Sequence, residues 1–212
     1  MSEPLPYDAP QFRDVVRHPQ AHAHVLAQYR IGEYAGVVGL RRLLADVDPG
    51  TRLRRAMEIH YRDEARHTDV FGDWIRRLGV EPPPLPEDVE GYFSRSAEEY
   101  REQRRLLDAM PGELRRIVVF AAINAIERLA YTQFETHLGA LERPEDVAAL
   151  EGVMAEEKFH LNYVEAELER QLRGPHRDTV GPAVDVARAR FAEFQEARRE
   201  ETRRAVERLL GA

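Results

Sequence analysis

The sequence predicts an all-α protein built around four long helices. Apolar residues recur at spacings of three and four along extended stretches, as they do on one face of a helix. Prolines, which interrupt helices, fall between these stretches or at their starts. The predicted long helices cover about residues 20–45, 49–78, 113–139 and 144–172, and a fifth helix covers about 182–210.

The first half of the chain is predicted to be an arm followed by a helical hairpin. Residues 1–19 form the arm, because they carry several prolines, and a short helix is expected within it at Gln11–Arg17, since His18-Pro19 favours a helix break. Asp48 is predicted to cap the second long helix, with Pro49 in its first turn. Gly79 is predicted to end that helix.

The stretch 80–112 is predicted to be a crossover between the two halves. It begins with a proline-rich linker, and a bundle whose second and third helices run in the same direction needs a long connection. The strand-like run at 117–126 lies inside the third helix, where the pattern that follows favours a buried helix. We therefore expect a bundle over 20–173, and a C-terminal helix within 174–212 that covers it or contacts another subunit.

Two copies of one metal-ligand spacing stand out, Glu64-x-x-His67 and Glu157-x-x-His160. Each places a carboxylate and an imidazole one turn apart on one helix face. Glu33 precedes Glu64 by 31 residues and Glu127 precedes Glu157 by 30. Since each pair straddles a predicted turn at mid-distance, antiparallel packing brings its two glutamates to nearly the same height. The six side chains are predicted to converge on one point.

Simpler interpretations exist for several of these residues. Taken alone, Glu33 is better explained as a solvated edge of an apolar stripe, because buried carboxylates are rare. His60 shares the face of Glu64, and a hydrogen-bonded core histidine is favoured over a residue that supports the site or lines an access path. Gly36 leaves room either for a substrate or for close helix packing. Asn124 is a candidate hydrogen-bond partner for a histidine.

The six residues, in identity and order, resemble the ligand set of the ferritin-like carboxylate-bridged di-iron proteins, in which two helices each give a Glu and two give a Glu-x-x-His. The resemblance covers roughly residues 20–173 and implies a ferritin-like four-helix bundle. The segments EEKFHLNYVE and AIERLAY also look like the corresponding parts of aldehyde-deformylating oxygenases.

This resemblance implies a ligand arrangement and a cofactor. Glu64 and Glu157 would bridge two metals, Glu33 with His67 would complete one ion, and Glu127 with His160 the other. Two iron ions are expected, with manganese or a mixed pair as alternatives. Charge balance favours a pair of divalent cations, because their four positive charges offset the four negative charges of the glutamates. Without metal, the four carboxylates would repel one another.

The expected function is activation of dioxygen, by an oxidase or oxygenase that acts on a small, largely apolar substrate with an external reductant. Ferroxidase or rubrerythrin-like peroxide-scavenging activity is one alternative, and a metal-free helical scaffold is another.

Composition narrows the other possibilities. The absence of cysteine excludes iron–sulfur clusters and thiol catalysis. A net charge of −7 gives no support for nucleic-acid binding, including that of tRNA-modifying hydroxylases on this fold. The apolar runs are too short for a membrane helix and no signal segment is apparent, so we expect a cytoplasmic protein, with a homodimer as one possibility.

Overall fold

The computed structural model describes residues 9–87, 89, 105, 108–174 and 177–211. Within these residues the chain forms helices and no strand, which confirms the all-α prediction. The helices are α1 (Ala9–Arg17), α2 (Pro19–Ala45), α3 (Arg52–Arg77), α4 (Gly112–Leu138), α5 (Pro144–Leu172) and α6 (Arg177–Leu210). None of these described helices combines the length and apolar character that crossing a bilayer requires.

The four long helices pack as two hairpins. The α2 helix lies against α3 and α4 lies against α5, while contacts of α3 with α5 and of α2 with α4 join the pairs. Two apolar clusters form the core, one around Phe71, Trp74 and Phe134 and the other around Leu40, Met57 and Phe120. Along each long helix the predicted ligand residues fall between a member of one cluster and a member of the other.

The start of α3 differs from the prediction. The helix begins at Arg52, and its cap is Thr51, whose hydroxyl accepts a hydrogen bond from the Arg54 backbone N at 3.1 Å. Gly50 takes a positive φ of 81°, which turns the chain after Pro49 and leaves Asp48 outside the helix. Gly79, with φ of 76°, follows the C-terminus of α3 as expected for a helix-ending glycine.

Both ends of the chain contribute more to the core than the sequence predicts. The predicted arm 1–19 contains α1, whose Phe12 and Val15 are fully buried in the core. The C-terminal helix starts before residue 182, at Arg177, and packs against α4, α2 and α5, with Val206 buried. Most of the predicted crossover at 80–112 lies outside the described residues.

Candidate metal centre

The structure brings all six predicted ligand residues together. Glu33 and Glu127 are each 6% exposed, and the other four residues are at most 3% exposed. The interpretation of Glu33 as a solvated edge is therefore wrong. Together with His60, these residues form two groups that could each hold a metal ion. Within each group, one ligand atom from every residue lies within 4.8 Å of the others. The first group is Glu33, Glu64, His67 and Glu157, and the second is His60, Glu64, Glu127 and His160.

The first group is centred on His67. Its Nδ1 lies 3.1 Å from Glu33 Oε2 and 3.0 Å from Glu157 Oε1. Glu64 lies against α2 at Gly36, where an added Cβ would come within 2.7 Å of the Glu64 Cδ. Of the two explanations for Gly36, the structure supports close packing, because the space beside it is filled by the Glu64 carboxylate.

The second group contains His60, which the sequence interpretation assigned to the core. Its Nε2 lies 2.9 Å from Glu64 Oε1 and 3.0 Å from Glu127 Oε1. The Nδ1 of His160 lies 2.9 Å from Glu157 Oε2. The two imidazole rings stack, with centroids 3.7 Å apart and planes 18° apart. The signal for His60 was its position one helical turn before Glu64, on the same face.

The Nε2 atoms of His67 and His160 point away from the glutamates of the two groups, and each contacts an acidic residue beside the opposite Glu-x-x-His motif; we call these two residues the crossed acids. His67 Nε2 lies 2.7 Å from Glu156 Oε2, and His160 Nε2 lies 3.2 Å from Asp63 Oδ2. Each acid thus immediately precedes the glutamate of one motif and binds the histidine of the other. Arg66 forms ion pairs with both acids. Such partners fix ring orientation and leave each Nδ1 facing the glutamates.

Asn124 does not fill this role. Its Nδ2 donates to Glu165 Oε1 at 3.4 Å, so the hydrogen bond predicted between Asn124 and a site histidine is wrong.

Burial dominates the electrostatics of the glutamates. It raises the pKa of Glu33, Glu64 and Glu127, and nearby carboxylates raise these pKa values further. Burial also tends to raise the pKa of Glu157, but the hydrogen bond with His160 and the closeness of His67 outweigh it, so this pKa falls below its usual range. Without a metal ion, Glu33, Glu64 and Glu127 therefore keep their protons to a higher pH than exposed carboxyl groups do.

The histidines respond in opposite directions. Burial disfavours a charge on His67, but the closeness of the Glu157 carboxylate and the hydrogen bond with Glu33 outweigh this and raise its pKa to about 11. For His60, burial and the adjacent His160 both lower the pKa, which leaves a neutral imidazole with a free lone pair. A neutral imidazole is the form that binds metals.

One carboxylate oxygen in the site has no hydrogen bond. Glu157 Oε1 is buried and, although it lies near His67 Nδ1, it accepts no hydrogen bond of suitable geometry. An unsatisfied buried carboxylate oxygen is costly in an apolar surrounding. A cation bound in the first group would satisfy it, so the residues present fit a metal ion.

Comparisons with family models, with curated proteins and with solved structures gave no match. The ferritin-like resemblance therefore rests on the six ligand residues and stays a prediction.

A groove of about 350 Å³ between α3 and α5 leads to the edge of the site. Its lining includes His67 and Glu156, together with Arg66, Asp73, Arg77 and Gly152. Glu156 is partly exposed there while it contacts the buried His67. Solvent thus comes close to His67, the single histidine of the first group.

Proposed function

We propose that this chain is a ferritin-like di-iron oxidoreductase that activates dioxygen and oxidises a small, largely apolar substrate. The observation that carries the proposal is the convergence of four buried glutamates and buried histidines from α2, α3, α4 and α5 in two adjacent groups. Four helices that each give a Glu, two of them with a His three residues later, match the ligand arrangement of that family.

Charge supports two metal ions in particular. Four ionised glutamates beside neutral histidines carry four negative charges, which two divalent cations would neutralise. Without cations, the pKa values of Glu33, Glu64 and Glu127 are raised, as expected when carboxylates are buried together. Because burying unpaired charge is strongly unfavourable, a metal-free scaffold with this set of residues lacks a physical rationale.

The donor types favour iron or manganese. Carboxylate oxygens and imidazole nitrogens suit these metals, and thiolates are absent from the sequence. Glu33, Glu64, His67 and Glu157 would hold one ion, and Glu64, Glu127 and His160 the other. When bound, a pair of iron ions would supply the redox chemistry.

The protein would hold its ligands in place and limit access of water. Glu156 and Asp63 fix the orientation of the two histidines. Apolar clusters flank the site along the helices, and the groove reaches its edge at His67. A small substrate and an external reductant would approach from this groove. One wall of the groove carries only small side chains at Ala148, Ala149 and Gly152, which leaves space there.

Anaerobic loading with Fe(II), followed by exposure to dioxygen, tests this function. We expect two iron ions per chain and oxygen-dependent oxidation of both. Glu157→Gln should lose iron, whereas Glu151→Gln, an exposed residue on the same helix, should behave as the unsubstituted protein. Failure to bind iron or manganese would contradict the proposal.

The same preparation separates the alternative functions. Continued oxidation of many iron ions per chain would favour a ferroxidase. Faster oxidation by peroxide than by dioxygen would favour peroxide scavenging. Repeated turnover of dioxygen, beyond the first oxidation of the centre, that requires a reductant and an organic substrate would support the oxygenase.

A further inference from the structure

We propose that His60 is a third histidine ligand of the centre, bound to the second metal ion through Nε2, and that Tyr163 positions it. The inference rests on the proposed metal centre and adds a ligand to the six predicted from the sequence. It makes the two metal ions unequal, because one would have a single histidine and the other would have two.

Distances around His60 Nε2 are those of neighbouring ligands on one ion. With metal–ligand bonds of about 2.1 Å, two ligands at right angles lie about 3.0 Å apart. His60 Nε2 lies 2.9 Å from Glu64 Oε1 and 3.0 Å from Glu127 Oε1. These two carboxylates come from α3 and α4, so the nitrogen faces a point shared by two helices.

His60 also has the same arrangement of inner and outer nitrogens as the two motif histidines. In His67 and His160, one nitrogen faces glutamates and the other faces an acid outside the two groups. In His60, Nε2 faces glutamates and Nδ1 lies 2.7 Å from the hydroxyl oxygen of Tyr163. The contacts of both His60 nitrogens therefore follow the pattern of the two motif histidines.

The contact with Tyr163 is compatible with the tautomer that coordination requires. A lone pair on Nε2 leaves the ring proton on Nδ1, and the Tyr163 oxygen can accept a hydrogen bond from that Nδ1–H. The ring of His60 also stacks on that of His160, with centroids 3.7 Å apart, so each ring limits the movement of the other. Tyr163 is a positioning residue, because it would act through His60.

The extra ligand gives each ion four protein residues but a different set of donors. The second ion would be held by His60, His160, Glu64 and Glu127, and the first by Glu33, Glu64, His67 and Glu157. The two ions would therefore differ in their histidine donors, and not in the number of residues that hold them.

Titration with Mn(II), with free metal followed by electron paramagnetic resonance, tests the assignment. The unsubstituted protein should bind two ions. His60→Ala and His60→Gln should retain the first ion and weaken the second by about 100-fold or more, and Tyr163→Phe should weaken the second by about 10- to 100-fold. Tyr61→Phe is the matched control, since Tyr61 packs against the same apolar cluster as Tyr163, and it should not change either affinity.

Three results would overturn the proposal, and they differ in what else they affect. If both His60 variants bind two ions with unchanged affinity, His60 is not a ligand while the centre itself stands. If the unsubstituted protein binds no metal, the proposed function fails as well. Should the variants not fold, a crystal structure of the Mn(II)-loaded protein decides: we expect Nε2 about 2.1 Å from an ion, and clear separation from both ions would refute the assignment.

Discussion

Gly36→Ala gives a sharp test of the site, because a single methyl group would meet the glutamate shared by both metal groups. A Cβ at residue 36 would lie 2.7 Å from Cδ and 3.1 Å from Cγ of Glu64, and closer still to Oε2. Normal van der Waals contact begins near 3.4 Å, so the Cδ must move by at least about 0.7 Å (3.4 − 2.7). Metal sites tolerate errors in ligand distance of only about 0.2 Å.

We expect Gly36→Ala to lose both metal ions while the helix remains intact. Replacing a mid-helix glycine by alanine stabilises a helix by about 0.5–1 kcal/mol. For a protein of this size, 1 kcal/mol shifts the melting temperature by about 2–4 °C. Displacement of the buried Glu64 carboxylate would offset part of this gain in the metal-free protein.

Gly39→Ala and Gly32→Ala on the same helix are matched controls. An added Cβ meets no atom within 4 Å at either position. Both variants should therefore melt above the unsubstituted protein and keep its metal stoichiometry, as measured by calorimetry and elemental analysis. Full metal binding by Gly36→Ala would refute the close contact between α2 and Glu64.

Three further predictions follow from the contacts and charges. Glu156→Gln should lower metal affinity by about 10- to 100-fold, as expected for loss of an outer hydrogen-bond partner, whereas exposed Glu151→Gln should not; equal affinities in a metal titration would contradict this. The pKa values of Glu33, Glu64 and Glu127 are raised in the folded state above their ordinary 4.5, whereas those of His22, His60 and His137 are lowered below 6.5. The histidines add stability as pH rises to about 6.5, so the loss of stability from the glutamates should dominate in the metal-free protein above that pH. The metal-loaded protein should instead gain stability over the same rise, because protons stop competing with the metal; melting temperatures at about pH 7 and about pH 9 check both trends. Glu127→Gln should raise the melting temperature of the metal-free protein at about pH 8 by removing a buried like-charge contact, yet weaken metal binding, and a lower melting temperature would count against the repulsion.

The sequence predicts the ligand residues well because helical geometry is nearly fixed. A rise of about 1.5 Å per residue allows Glu33 to be placed level with Glu64, and Glu127 level with Glu157, from separations along the chain alone. The Glu-x-x-His spacing then determines which side chains share a face. These steps require no knowledge of how the two hairpins pack together.

Contacts between the two hairpins could not be predicted in this way, because separations along the chain do not determine how the hairpins pack together. The sequence left His60 as a core histidine, or as one that supports the site or lines an access path, and only the structure places Tyr163, on another helix, beside its Nδ1. The Thr51 cap was missed for a local reason, since Asp48-Pro49 is an equally good start signal and the positive φ of Gly50 decides against it.

The crossed acids have a consequence for how the centre forms. His67 on α3 depends on Glu156 of α5, and His160 on α5 depends on Asp63 of α3. Each histidine therefore depends for part of its orientation on an acid of the other hairpin. Because metal binding needs both orientations, its free energy must be coupled to the packing of α3 against α5. Metal should therefore stabilise the contact between the hairpins more than either hairpin by itself.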